Sequence, residues 1–579
     1  VLELDCETAD LSNLVFQPWF FWKTPKRMHL ALCLLSYCKD TTVGESVTLY
    51  KNPILATYQY LMEAQFGGSA LNQKTILNHP VGLFVLFFTE MWERFSYYGM
   101  RAILVLFLTS SIMNDGWAWS NEDALQLYGL YTGLVYLTPI FGGFFADKFL
   151  GYRNATVLGA LIMTLGHASM ALESFTDSFF YLGLVLLIIG NGFFKPNISS
   201  IVGQLYKDGD KRKDGGYTIF YMGINAGAFL GILLCGYIGE KVGWHLGFGL
   251  AGIFMFFGML QFWFAQKIFG DIGITPKKLA EAQPADKDPK LNQGFSKVEI
   301  DRLIVIVVFS IFTIFFWWAF EQAGGSMTIF AKDFTQRTLV GDASSIFKIA
   351  NTIITLVPMV VLTIVLYGLF SKMLRNFVLS NLFLGASFAI IWSIVIWMIV
   401  REFSVTATEI PASWFSVLNS LYIILLAPLF SKIWASKFNP SGPIKFAIGL
   451  ILLGTGFAFL AFGAWGIPLG AEQASVSIVW LILAYLFHTM GELCVSPVGL
   501  SYVSKLAPIK LVGLMFGFWF VCSAVANYLG GKTGSYIDKI SEAYGLSNFF
   551  LIFFVIPVLA GILMIVLKPI LIRKMHGID

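Results

Sequence analysis

The chain has 579 residues, 57% of them hydrophobic and only 13% Asp, Glu, Lys or Arg. Soluble domains carry about 25% charged residues, so a soluble fold is excluded. A net charge of +4 spread over loops leaves no clustered basic face for a nucleic acid.

In chain order, residues 1–75 come first, begin with Val and hold three of the six cysteines, Cys6, Cys33 and Cys38. They show no clean span or repeat and read as an N-terminal extension, disordered or non-native, with Met62 a plausible natural start. From Val81 onward apolar stretches of about twenty residues recur, each long enough to cross the hydrocarbon of a bilayer as a helix. Spans are expected near 81–110, 126–146, 155–173, 179–201, 217–238 and 246–268, the first six-helix bundle covering 76–268. A polar linker over 269–302 follows. The second bundle, 303–579, is expected to hold spans near 303–331, 346–370, 377–400, 412–435, 444–465, 476–498, 511–530 and 547–570. That makes about fourteen, two more than a pair of six-helix bundles needs. A hairpin inserted over 346–400 accounts for the excess without reversing later helices, and its place in the chain suggests a peripheral seat on the second bundle. Loops alternate in charge: Lys207, Lys211, Arg212 and Lys213 mark one side, Asp115, Glu122, Asp123, Glu173 and Asp177 the other. By the positive-inside rule both termini are cytoplasmic. Cys235, Cys494 and Cys522 lie in apolar segments and read as core packing, not as a disulfide or metal framework.

The first span carries Glu90-Met-Trp-Glu93-Arg94-Phe-Ser-Tyr97-Tyr98-Gly99. Each charge near a bilayer midplane costs about 2.5–3.5 kcal/mol on insertion scales. Three within five residues must face protein or a wet cavity and compensate one another. Helical spacing puts Glu90, Glu93 and Arg94 on one face, with Tyr97 one turn on. Either a structural ion pair or a solute pathway satisfies that pattern.

Polar groups recur in later spans. Lys195 lies in Gly190-Asn-Gly-Phe-Phe-Lys-Pro-Asn and needs a partner, for which Glu90 and Glu93 are the supply; snorkelling to the interface is the other reading. Asn225, deep in the fifth span, serves either a solute or a helix contact. Glu321 and Glu492 are carboxylates in the second half, suited to exchanging a proton with either side, and His488 lies one turn before Glu492. Gly142-Gly143-Phe-Phe-Ala-Asp147-Lys148 closes the second span, where the glycines permit close approach and Asp147 could dock on another helix's positive N-terminus as a gate.

Taken together, Glu90-x-x-Glu93-Arg94-Phe95-x-Tyr97-Tyr98-Gly99, Phe220-Tyr221-x-x-Ile224-Asn225-x-Gly227 and the Gly142 to Arg153 segment resemble the signatures of the proton-dependent oligopeptide transporters (POT/PTR2), within the major facilitator superfamily. Phe194-Lys195-Pro196-Asn197, Leu418-Asn419, Gly491-Glu492, and Trp519 with Ser523 extend the resemblance over about 80–570. It implies an all-α polytopic membrane protein with the superfamily's two six-helix bundles plus the inserted hairpin. It further implies import of di- and tripeptides with protons across a bacterial inner membrane by a monomer needing no cofactor beyond H⁺.

The roles implied can be placed by position. Lys195 would pair with Glu90 and Glu93 and couple their protonation to movement, while Arg94 would help hold the peptide carboxylate. Glu492 would receive the amino terminus, and Asn225 and Asn419 the peptide backbone. Tyr97, Tyr98, Tyr136, Trp318 and Trp519 would line side-chain pockets, with Ser523 a polar contact. Arg101 would meet Glu321 to close an outer gate. Two departures stand out: about Gly129 replaces a histidine of animal members, and the hairpin follows the seventh helix, where many bacterial members place theirs before it. Proton coupling must then rest on Glu90, Glu93 and Glu321. A same-fold carrier of nitrate, an amino acid or a drug-like compound is the alternative. An enzyme or receptor lacks a catalytic constellation on matched helices.

Overall fold

The computed structural model describes residues 74–207, 209–274, 295–508 and 511–578. The expected N-terminal extension lies outside the described residues except for Lys74 and Thr75, and so do residues 275–294 of the linker expected over 269–302, whose last six residues belong to a helix instead.

Every stretch read as a span forms a helix. The first bundle contains α1 (Val81–Thr109), α2 (Asn121–Leu150), α3 (Tyr152–Met170), α4 (Asp177–Gln204), α5 (Lys213–Lys241) and α6 (Trp244–Phe269). After the linker come α7 (Lys297–Phe334), α8 (Gly341–Met373), α9 (Val378–Ser404), α10 (Ala412–Ala435), α11 (Gly442–Gly463), α12 (Val479–Leu506), α13 (Val512–Gly534) and α14 (Leu546–Met575). Among the described residues, twelve of these helices are long and apolar enough to cross a membrane. The other two are α1, which carries Glu90, Glu93, Arg94 and Arg101, and α3, which begins Tyr-Arg-Asn and holds His167.

Local chemistry sets several helix starts. Ser120 accepts the Asp123 amide at the head of α2, and Ser296 and Glu299 form a reciprocal capping box at the head of α7. Glycine lets helices touch: a Cβ on Gly142 of α2 would collide with the Gly192 backbone of α4. Between the bundles, a Cβ on Gly129 of α2 would lie 2.7 Å from the Gly531 Cα of α13.

Asp301 at the head of α7 binds Lys574 (2.5 Å) and His576 (2.9 Å) just past α14, while His79 before α1 meets Tyr206 after α4 at 2.8 Å. These contacts define one face, called here the terminal face because both described chain ends lie on it. Bonds joining the bundles cluster on the opposite face. Lys332 donates to the Thr109 carbonyl (3.0 Å), Lys241 pairs with Glu409 (2.6 Å), Lys539 with Glu122 (2.9 Å), and Asn121 donates to Asp538 (3.0 Å). On the terminal face Phe141, Phe144, Phe145 and Phe149 of α2 are exposed.

The inserted hairpin, α8 and α9, leaves and returns at one point. Thr338–Leu339 before α8 pairs antiparallel with Thr408–Glu409 after α9, so the insertion closes on itself and α10 starts where α7 ended. The hairpin does not take the expected seat on the second bundle; α9 packs chiefly on the first. Phe388 meets Phe88 and Trp92 edge-on (5.6 and 5.7 Å), Phe383 stacks on Phe264 (5.6 Å), and Ser380 donates to the Gln261 carbonyl (2.8 Å). Only 28% and 33% of the most apolar stretches of α8 and α9 are buried, against 78% for α5. The remaining surface is Ile-, Val- and Leu-rich and suited to lipid.

Candidate functional site

On α1 the three charges fold onto one another. Arg94 Nε lies 2.7 Å from Glu90 Oε1 and 3.0 Å from Glu93 Oε2, with all three side chains buried. The opening of α4 toward α1 adds Asn191, whose amide donates to Glu93 Oε1 at 3.1 Å. One guanidinium nitrogen thus lies between two carboxylates, Glu90 and Glu93. Lys195, one turn further along α4, pairs with neither: its Nζ stands 4.0 Å from the ring centroid of Tyr136, and it forms no ion pair within 4.0 Å among the described residues. The expected pairing of Lys195 with Glu90 and Glu93 is therefore not made in this conformation. A cation over an aromatic face is a weak resting place beside a carboxylate, so this ammonium is available.

Closer to the opposite face, Arg101 Nη2 meets Glu321 Oε2 at 3.0 Å, joining α1 to α7 as expected. Tyr128 of α2 donates its hydroxyl to the same oxygen at 3.2 Å. Sequence reasoning missed Tyr128, although it adjoins Gly129, where a histidine was sought.

Between the bundles lies a cavity of about 120 Å³. That is below the usual range of ligand pockets, about 300–1,000 Å³, so a solute of peptide size requires it to widen. Helical periodicity builds its walls. From α5, Tyr221, Ile224, Asn225, Ala228 and Ile232 recur on one face; from α10, Ser416, Asn419, Ser420 and Ile423 do the same. Tyr98 and Arg101 enter from α1, Tyr136 from α2, Trp317, Phe320 and Glu321 from α7, and Glu492 from α12. Glu492 accepts from the Asn419 amide at 2.9 Å, and Asn419 also donates to Thr489 at 3.1 Å. Among the described residues no cation pairs with Glu492 within 4.0 Å. A buried carboxylate with one amide partner is poorly compensated.

The structure thus gathers Tyr98, Arg101, Tyr136, Asn225, Glu321, Asn419 and Glu492 around one cavity. Other expected positions, Arg94 and Lys195 among them, are not in its lining. Trp318 donates its indole N–H to Thr533 (3.0 Å) and packs on Phe553 (4.7 Å); the indole facing the cavity belongs to Trp317. Adjacent helix positions differ by about 100°, so one wall can take only one of the pair. Tyr97 is buried against Tyr98, while Trp519 packs on Phe446 and Ser523 donates to the Trp519 carbonyl, away from the cavity lining. Asp147 is exposed in a wide helical turn, and its carboxylate accepts a hydrogen bond from Tyr152, the first residue of α3.

With this geometry in place, comparison with known proteins is informative. A family model described as the POT family matches residues 153–283 and 391–552. An uncharacterized transporter of Bacillus subtilis, YclF, is 35% identical over 520 residues, covering 87% of this chain and 97% of its own. A di-/tripeptide transporter of Lactococcus lactis subsp. cremoris is 32% identical over 529 residues, covering 87% and 98%. Among solved structures, a peptide transporter POT in complex with sulfate is 28% identical with a TM-score of 0.68, covering 88% of this chain and 99% of its own. A POT family transporter in complex with a thioalcohol-conjugated peptide is 26% identical with a TM-score of 0.68, covering 87% and 99%.

Proposed function

The chain belongs to the POT family, and we propose that this multi-pass membrane protein imports di- and tripeptides with protons across a bacterial inner membrane. Transport would proceed by alternating access, the two bundles rocking about the cavity between them. With the basic loop Lys211–Lys213 on the terminal face, that face would be cytoplasmic and the present conformation inward-facing. The chain would act as a monomer, with H⁺ the only coupling species.

The observation that carries this reading is the unpaired Glu492. A carboxylate facing a membrane-embedded cavity without a resident cation is a receptor for an ammonium group, and every peptide has one at its amino terminus. Lys195 supplies the complementary charge for the peptide carboxylate, since Arg94 is already held by two acids. Holding a zwitterion at its constant ends leaves Tyr98, Tyr136 and Trp317 to accommodate variable side chains. Protonation of Glu90, Glu93 or Glu321 would release Arg94 or Arg101 and bias the bundles. Only contacts that differ between states can drive that change.

Uptake of labelled dialanine into proteoliposomes under an imposed pH gradient tests the proposal. Accumulation in the wild type, lost in Glu492→Ala, is the expected result. Accumulation of no dipeptide, or of nitrate in its place, would overturn it.

A further inference from the structure

Glu240, in the last turn of α5, is not in the lining of the cavity described above and matches no motif in the sequence. Its carboxylate nevertheless crosses between the bundles. Oε2 accepts the Ala412 amide at 2.8 Å, and Oε1 accepts the Ser413 amide at 2.9 Å and the Ser413 hydroxyl at 2.5 Å. Those amides open α10, where the first-turn N–H groups lack helical acceptors and the helix dipole is positive. Hydrogen bonds to an ionised acceptor are about twice as strong as neutral ones.

The rest of the seam is built to match. Leu233, Gly236, Tyr237, Glu240 and Lys241 recur at helical spacing on one face of α5. The Leu233 carbonyl accepts Trp414 Nε1 (2.9 Å), and Tyr237 stacks on the Trp414 ring (5.8 Å). A Cβ on Gly236 would run into the Ser413 hydroxyl. Tyr237 also donates to Glu402 at 2.6 Å, and Arg401 to the Lys241 carbonyl at 3.1 Å, so the end of the inserted hairpin is fastened to the same turns.

We propose that Glu240 is a positioning residue of the transport cycle, a carboxylate latch that holds α10 of the second bundle against α5 of the first and keeps the opposite face shut. It is separate from the Arg101–Glu321 pair, which joins α1 to α7. The inference rests on the alternating-access reading above. When the bundles part at this face, the three hydrogen bonds are lost together, so they stabilise one state only and set the ratio of the two.

The test uses the full chain with spin labels at Phe175→Cys and Trp465→Cys, exposed positions on opposite-face loops of the two bundles. Glu240→Ala should raise the ratio of long to short label distances by about tenfold or more, the loss expected when a charged partner is removed from one state. Ser413→Ala, which removes a single donor, should give a smaller shift of the same sign, and the double variant should add little to Glu240→Ala. Dialanine protection against thermal unfolding should persist in each. Unchanged distances in a folded Glu240→Ala protein would overturn the latch; if that variant does not fold, unchanged distances in Ser413→Ala would do so. Longer distances in Glu240→Ala, together with wild-type protein that accumulates no dipeptide, would overturn the transport reading and leave the latch standing.

Discussion

Tyr128 donates its hydroxyl to Oε2 of Glu321 at 3.2 Å, on the very oxygen that Arg101 approaches at 3.0 Å. Three helices, α1, α2 and α7, therefore close on one atom. Tyr128→Phe deletes one neutral donor and keeps the ion pair, so closure should weaken by about 1 kcal/mol. Arg101→Ala strands a buried carboxylate and should cost about 3–5 kcal/mol. Cysteine labelling from the opposite face should rise modestly in the first variant and strongly in the second; equal effects would count against this division of labour.

The two neighbouring tryptophans should behave oppositely. Trp317→Ala enlarges the cavity wall and should change the ranking of dipeptides that compete for uptake. Trp318→Phe removes the bond to Thr533 and should lower stability by about 0.5–1.5 kcal/mol, with the ranking preserved. Competition assays beside thermal unfolding separate them, and a changed ranking in Trp318→Phe would refute the assignment.

Lys195→Met keeps the stem and removes the charge. If the free ammonium serves the peptide carboxylate and the carboxylates of α1, gradient-driven uptake should fall about tenfold or more, since charged hydrogen bonds are worth about 1.5–3 kcal/mol. Uptake kinetics in proteoliposomes give the answer. A variant with normal driven uptake would mean that Tyr136 is the lysine's permanent partner.

Glu409 makes a pH prediction, because it lies in the connector before α10. Burial pushes its carboxyl up, but the Lys241 hydrogen bond and the charges of Lys241 and Arg337 outweigh this and hold it below the ordinary range. A depressed value means that the stabilisation is complete above the ordinary carboxylate pKa and fades only as pH falls through the lowered one. From about pH 5 to 8 this contact is constant. Glu409→Gln should therefore loosen the opposite face without moving the pH midpoint of uptake. A displaced midpoint would implicate Glu409 in proton coupling.

Much of this was legible in the chain. Apolar length located every helix, with ends off by up to eight residues at the close of α12, and charges that lipid would reject marked the α1 cluster, Lys195, Glu321 and Glu492 in the sequence alone. What stayed hidden depends on rotation and state. The order Trp317-Trp318 does not say which indole turns inward, and Lys195 beside two acids does not say that Arg94 has already claimed them. Glu240 was invisible for another reason: Gly-Glu-Lys at the end of a span reads as ordinary loop charge, and two of its three partners are backbone amides, which no side-chain pattern announces. The hairpin's seat on the first bundle likewise follows from where Phe383 and Phe388 find rings, not from its place between α7 and α10.

Proline stands next to Lys195 in α4 and a turn and a half beyond Glu492 in α12. Lacking an N–H, Pro196 leaves the Gly192 carbonyl without its usual donor, and Pro497 does the same to the carbonyl of Leu493. Each rod is thus weakest within a few residues of the charge it carries. Cargo pulling on an ammonium at one end and a carboxylate at the other would tug on two built-in joints, converting a change in electrostatic partners into bending with little resistance from the helical ladder.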